Sequence, residues 1–118
     1  MSGQPWSPIE VEVKLEAGLD QLDDVMAGYL AIADDAATAK QAYDLACARK
    51  MLERRVRDPK LPKHVLDAEI TVACHEERAE RDACVAAEEA ARKALDSYKT
   101  RIEALRTLLV QSRPQAAR

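Results

Sequence analysis

The chain has 118 residues, and its 18 Lys and Arg against 21 Asp and Glu give a net charge of −3. Hydrophobic residues make up 47% of it, but 22 of them are Ala, and there is no Phe. Because Ala buries little surface, this composition argues against a compact enzyme core and against an aromatic-rich β-sandwich. No stretch reaches the ~20 apolar residues of a membrane span, and the N-terminus lacks a signal-peptide pattern. We therefore expect one all-α cytoplasmic domain with no membrane contact.

The first predicted helix begins at a well-marked N-terminus. Ser7, Pro8 and Glu10 match a capping box with Pro at the first helical position, and Trp6 and Val11 occupy the hydrophobic-staple positions. Apolar residues then recur at alternating steps of four and three, which predicts a left-handed coiled coil with a partner helix. The residues of this first seam are Leu15, Leu19, Leu22, Met26, Tyr29, Ala33 and Ala36.

A proline-containing turn at residues 59–62 separates this first arm, residues 8–58, from a second arm, residues 63–112. Pro59 and Pro62 remove two backbone donors and disfavour helical geometry in the residues before them. We expect a frayed tail after residue 112. The second seam begins with Leu66, Ile70 and Ala73, passes through a polar stretch, and resumes with Cys84, Ala87, Ala91, Leu95, Tyr98, Ile102, Leu105 and Leu109.

Two arms of nearly equal length predict a long antiparallel helical hairpin that is Ala-rich, coiled-coil-like and oligomerising. Residues whose numbers sum to about 121 should face each other, so the Ala-rich stretches 31–48 and 79–94 would meet. A bend near Asp34 and Asp35, giving a bundle of three or more shorter helices, is the alternative. Since a two-helix hairpin has a small core, we expect a homo-oligomer.

Four carboxylates do not fit this pairing, because the segment opposite them contains Asp44 and only one base, Lys40. They are either solvated or face another subunit. These residues are Glu76, Glu77, Glu80 and Asp82.

The chain has little catalytic or metal-binding potential. Its three cysteines, Cys47, Cys74 and Cys84, form no C-x-x-C pair. The numbers of Cys47 and Cys74 sum to 121, so the two residues could face each other across the hairpin. A disulfide is one alternative, but buried thiols are favoured. With three Gly in total and no nucleophile or phosphate-loop motif, we expect no enzyme activity, metal, cofactor or small-molecule substrate.

The remaining candidate site is the basic turn, since residues 49–66 hold seven bases and two acids. Lys50, Arg54 and Arg57 share one helix face. Asp67 and Glu69 could pair with Arg54 and Arg55, but two carboxylates cannot neutralise seven bases. We therefore expect that carboxylates do not engage both Arg54 and Arg57, and that positive potential survives to bind a polyanion. The seven bases, called the tip cluster below, are Arg49, Lys50, Arg54, Arg55, Arg57, Lys60 and Lys63.

Two segments carry a family resemblance. The run AYDLACARKML at residues 42–52 and the helical ending ALDSYKTRIEALRTL at residues 94–108 resemble small helical proteins of tailed phages. Over roughly residues 36–113 the chain is similar to phage recombination mediators of the UvsY type. The resemblance implies an oligomer in a bacterial host cell that binds single-stranded DNA and helps to load a RecA-like recombinase. In this chain the basic stretch around Lys50, Arg54, Arg55 and Arg57 would contact the DNA. A coiled-coil structural or adaptor protein of a phage particle, with no nucleic-acid role, is the alternative.

Overall fold

The computed structural model describes residues 6–112, which form three α-helices. They are α1 at Pro8–Arg57, α2 at Lys63–Ala73 and α3 at His75–Ser112, and no strand occurs among the described residues. In the part described, α1 packs antiparallel to the segments that follow the turn, so the predicted all-α helical hairpin is confirmed. The predicted frayed tail, residues 113–118, lies outside the described residues.

The N-terminus of α1 has the predicted capping box. The Ser7 backbone N–H donates to Glu10 Oε2, and the Glu10 N–H donates to Ser7 Oγ, each at 3.2 Å. Val11, one turn into the helix, is only 1% exposed. Trp6 is half exposed, and the Lys14 ammonium lies 4.7 Å from the centre of its ring. The box satisfies two backbone groups that would otherwise lack partners at the helix start.

Helix α1 is continuous. Its 50 residues run through Asp34 and Asp35 without interruption, and both of these side chains are exposed. The two carboxylates are solvated on the helix surface, so neither has to act as a cap within the helix. The alternative of a first arm that bends here is therefore not observed.

The second arm is interrupted, contrary to the single helix that we predicted over residues 63–112. Cys74 leaves helical geometry at φ −106° and ψ 21°, although its N–H still donates to the Ile70 carbonyl at 2.9 Å. Three β-branched residues, Ile70, Thr71 and Val72, precede the break and have reduced helix propensity. As a result Cys74, and not the predicted Ala73, points into the core: Cys74 is 4% exposed and Ala73 is exposed.

The described chain divides into two compact units. The terminal unit contains residues 6–29 and 91–112, and the turn unit contains residues 30–90.

In the terminal unit, α3 contributes the buried side chains Leu95, Ile102, Leu105 and Leu109. Opposite them, a Cβ on Gly18 would lie 3.5 Å from Ile102 Cγ1, so the helices approach closely at this glycine. The hydroxyl oxygen of the half-buried Tyr98 lies 3.1 Å from the Gly18 carbonyl oxygen and 2.7 Å from Gln21 Oε1. This polar contact fixes the register of the two helices beside the apolar core.

The first seam needs a correction at two of its residues. Leu19 and Met26 are exposed, whereas Gly18 and Val25 take half-buried positions. The inward-facing positions still recur at steps of four and three. At these two points, however, the inward-facing residue comes one position earlier than predicted. A glycine carries no hydrophobic signal, so the pattern alone selected Leu19. The predicted members Leu15, Leu22 and Tyr29 are half-buried, at the inward positions.

In the turn unit, Leu66 and Ile70 of α2 pack with Cys74 to form a buried cluster. It is surrounded by the partly buried Tyr43, Ala46, Cys47 and Leu61. The three cysteines are free thiols. Burial, followed by a hydrogen bond with the Cys47 thiol, raises the pKa of Cys74. Cys47 and Cys74 are thus neighbours, as the pairing sum of 121 predicted.

Candidate functional site at the helical turn

All seven residues of the tip cluster belong to the turn unit. The last three turns of α1 carry five of them, Lys60 lies in the turn itself, and Lys63 is the first residue of α2. Cations at a helix C-terminus interact favourably with the helix dipole, which is one reason for the three in the last turn of α1, Arg54, Arg55 and Arg57.

Arg54 is held by a carboxylate from α2. Its Nε and Nη2 atoms donate to the two carboxylate oxygens of Glu69, with Nη2 3.2 Å from Oε1. The hydrogen bond from Arg54 is the main cause that lowers the pKa of Glu69, and the same bond raises the pKa of Arg54. This bidentate pair joins α1 to α2 and makes Arg54 a structural residue of the turn.

Three further bases are also engaged. Glu53 lies between Lys50 Nζ, at 3.8 Å, and Arg57 Nη2, at 3.6 Å. Arg55 Nη1 donates to the backbone carbonyls of Leu61 at 2.6 Å and Pro59 at 3.3 Å. Arg55 therefore closes the turn through backbone acceptors and has no carboxylate partner there.

These contacts correct our expectation for the tip cluster. We expected that carboxylates would not engage both Arg54 and Arg57, and both are engaged. The prediction considered Asp67 and Glu69 as partners but overlooked Glu53, which lies on the same helix at the spacings of three and four residues that bring side chains together. The pair of Arg54 with Glu69 was one of the structural pairings that the sequence suggested.

Some positive charge nevertheless remains. Within the described part of the chain, Arg49, Lys60 and Lys63 are exposed and make no ion pair, and Arg57 is 69% exposed despite its contact with Glu53. These four side chains are the most exposed part of the tip cluster.

A shallow groove runs between α1 and α2 on one side of the turn, with a volume of about 550 Å³. One wall is cationic and the other is apolar, with Glu69 between them. It is too open to enclose a small molecule, but its walls could contact the edge of a protein or a polyanion. Its lining residues are Lys50, Arg54, Arg57, Val65, Ala68, Glu69, Val72 and Ala73.

A second apolar stripe follows α1 within the turn unit and is largely exposed. Leu45, Leu52 and Val56 are 51%, 68% and 81% exposed, and their spacings of seven and four residues place them on one helix face. Ala42 and Arg49 complete a pattern with steps of three and four. We call this face the outer seam; it consists of Ala42, Leu45, Arg49, Leu52 and Val56. The sequence places Leu45, Leu52 and Val56 in the continuing helical pattern of the first arm, but it did not show that they form a separate, exposed face.

The ion pair at the turn predicts a pH dependence of stability. Because the folded pKa of Glu69 lies below its ordinary value of 4.5, the pair stabilises the fold above that pH, and this stabilisation is lost as the pH falls through the folded pKa. We expect Glu69→Gln to melt below the wild type at about pH 7, with the difference shrinking towards about pH 3. Thermal melts followed by circular dichroism measure it.

The matched control is Asp67→Asn, which removes an exposed carboxylate two residues away on the same helix. Its melting temperature should stay near that of the wild type at each pH. An equal effect of the two substitutions would mean that Glu69 makes no specific pair.

The described residues contain no group of three or more His, Cys, Asp or Glu side chains arranged to hold a metal ion. None of the described helices combines the length and the apolar character needed to cross a bilayer. No family model, curated protein or solved structure matches the chain. The geometry and charge of the turn unit are therefore the features from which a function can be inferred.

Proposed function

We propose that the protein is a non-enzymatic, self-associating coiled-coil scaffold or adaptor. Such a protein has no nucleic-acid role; a structural component of a phage particle is one example. The single observation that carries the proposal is the outer seam. Three large aliphatic side chains, Leu45, Leu52 and Val56, are exposed in one line on a helix that already packs its inner face.

The energetics support this proposal. Burying apolar surface contributes about 25 cal/mol per Å², so a stripe of this kind is a driving force for association. Its steps of three and four are the spacing with which coiled-coil helices pack. By contrast, the ion pairs of Lys50, Arg54 and Arg57 reduce the charge that the DNA-binding hypothesis needs.

The test is the molar mass in solution. Leu52→Glu places a charge in the middle of the outer seam and should convert the oligomer to a smaller species, measured by light scattering across a concentration series. Because Leu52 is exposed within one chain, circular dichroism should show that the helical fold persists.

Met51→Glu is the control, because Met51 is also exposed but points about 100° away from Leu52 around the helix. It should leave the molar mass unchanged. If the wild-type chain is a monomer at every concentration, the scaffold proposal fails.

A second candidate function is the binding of single-stranded DNA during the loading of a RecA-like recombinase. It is favoured by the exposed bases Arg49, Lys60 and Lys63, which make no ion pair in the described structure, and by the resemblance to phage mediators. A few cations per chain bind weakly, but several chains that present them together bind more strongly.

For this candidate, Lys60→Glu combined with Lys63→Glu should weaken the binding of a labelled oligonucleotide by roughly tenfold at about 50 mM salt. Fluorescence anisotropy at two salt concentrations measures the affinity and its salt dependence. Lys40→Glu, an exposed lysine of the same unit that is remote from the turn, is the control. Absence of wild-type binding at the lower salt concentration would exclude the DNA-binding role.

A further inference from the structure

We propose that the outer seam binds a second copy of this chain in antiparallel orientation, with Arg49 of each copy placed in an acidic cleft of the other. This inference rests on the self-association proposed above, and it adds the occupant, the orientation and the polar contact. It concerns residues of the turn unit only.

The acidic cleft lies where α3 begins beside α1. It has a volume of about 240 Å³ and lies on the Ala42 side of α1. The cleft is rich in uncompensated carboxylates, because Glu76 and Glu80 are exposed and make no ion pair among the described residues, and Glu77 Oε2 is buried without a hydrogen-bond partner there. A buried acceptor without a donor destabilises a protein, so such groups call for a partner. The residues that line the cleft are Ala39, Ala42, Glu76, Glu77 and Glu80.

Nothing within the described chain neutralises this cluster. Arg81, which follows Glu80 on α3, donates to Asp82 at 2.9 Å and lies over the ring of Tyr43. Glu80 accepts a hydrogen bond from the Cys84 thiol at 3.4 Å, which supplies no positive charge. In the predicted pairing of the arms, these carboxylates had only one basic residue, Lys40, in the segment opposite them.

Arg49 has the complementary properties. It is exposed, it forms no ion pair within the described residues, and it sits between Leu45 and Leu52 in an otherwise apolar stripe. Ala42 and Arg49 are seven residues apart on one continuous helix, so Arg49 and the cleft open onto the same face. Along this face of α1, the acidic cleft at Ala42 is followed by Leu45, then by the unpaired guanidinium of Arg49, and then by Leu52.

This order of charges selects the orientation. In a parallel pair Arg49 would meet Arg49, and the cleft would meet the cleft, so like charges would be opposed. In an antiparallel pair with its two-fold axis near Ala46, Arg49 comes within one helical turn of the partner's Ala42, and the same contact forms twice. The partner's cleft then gains a cation beside its exposed carboxylates Glu76 and Glu80, while Leu45 of one copy approaches Leu45 of the other near the axis and buries apolar surface.

The experiment is sedimentation equilibrium of the full chain, which gives the dissociation constant of the dimer. Arg49→Glu should raise this constant by roughly a hundredfold, because it removes two charge pairs and adds repulsion in each dimer. Combining Arg49→Glu with Glu76→Arg and Glu80→Arg should restore it to within about tenfold of wild type, since the charges are exchanged across the interface. Arg57→Glu, an exposed base outside the outer seam, is the matched control and should change it little.

Cross-linking tests the contact directly. In the Arg49→Lys variant, a carbodiimide should join residue 49 to Glu76 or Glu80 without a spacer, and mass spectrometry of mixed light and heavy-isotope chains should identify the bond as intermolecular. If Leu52→Glu dissociates the oligomer while Arg49→Glu does not, the outer seam is retained and the Arg49 contact is overturned. A wild-type monomer overturns both this inference and the scaffold proposal.

Discussion

Replacing Leu66 by Ala is expected to lower the free energy of unfolding by about 2–4 kcal/mol, which is a large part of the stability of a small domain. Leu66 is 3% exposed and forms the buried cluster of the turn unit with Ile70 and Cys74. The substitution removes apolar atoms and leaves a cavity that the surrounding helices fill only partly. Urea titration followed by circular dichroism at 222 nm measures the loss.

The matched control is Val72→Ala, six residues further along the same helix. Val72 is 76% exposed, so its truncation should change stability by less than about 0.5 kcal/mol. If the two variants lose the same amount, α2 does not pack against α1 through Leu66, and the arrangement of the turn unit is wrong.

Replacing Ile102 by Ala should lower the free energy of unfolding by a similar amount, about 2–4 kcal/mol. This variant tests the packing of the terminal unit. Ile102 is 4% exposed, and its Cγ1 lies 3.5 Å from where a Cβ on Gly18 would be. Truncation would leave a gap opposite a residue that has no side chain, so α1 has few atoms with which to fill it. The same urea titration gives the free energy, and the fluorescence of Trp6 adds a probe within that unit.

Val110→Ala is the comparison for this variant, since Val110 lies on the same helix and is 69% exposed. It should be nearly neutral. A loss for Ile102→Ala no larger than that for Val110→Ala would contradict the close approach of the two helices at Gly18.

The two candidate functions make opposite demands on Arg49. Self-association through the outer seam buries this side chain against the carboxylates of a second copy, whereas DNA binding needs it exposed to phosphate. Arg49→Glu therefore separates them. A variant that dissociates the oligomer without affecting DNA supports the scaffold, whereas loss of DNA binding with the oligomer intact supports the mediator.

The local features of the fold could be predicted from the sequence because neighbouring residues determine them. The capping box at Ser7 and Glu10 needs only a hydroxyl and a carboxylate three residues apart, and the turn follows from Pro59 and Pro62. The equal lengths of the two arms set the register, which correctly made Cys47 and Cys74 neighbours. The helical class itself follows from the Ala-rich, charged composition and the spacing of the leucines.

The sequence could not show which of two regular stripes on α1 faces inward. In the turn unit the inward side of α1 contains Ala36, Ala39 and Ala46, while the outer seam contains Leu45 and Leu52, so hydrophobicity alone does not favour the side that is buried. In the terminal unit, packing against α3 decides which residues of α1 face inward. Gly18 allows the two helices to approach closely, and Leu19 is therefore left exposed beside the contact. The break at Cys74 was equally hidden, because it depends on how Ile70 and Cys74 reach the same core.

For the candidate site, the sequence by itself determined where the charges are, and only the tertiary structure decided which of them are compensated. The seven bases around the turn are evident from the residues alone. Their pairing depends on distances between side chains on different helices, which brought Glu69 to Arg54 and left Arg49 and the carboxylate of Glu77 without partners in the described chain. Interactions between exposed charges are largely screened beyond about 10 Å at 0.1 M salt, so the positions of the side chains in the fold decide which charges pair.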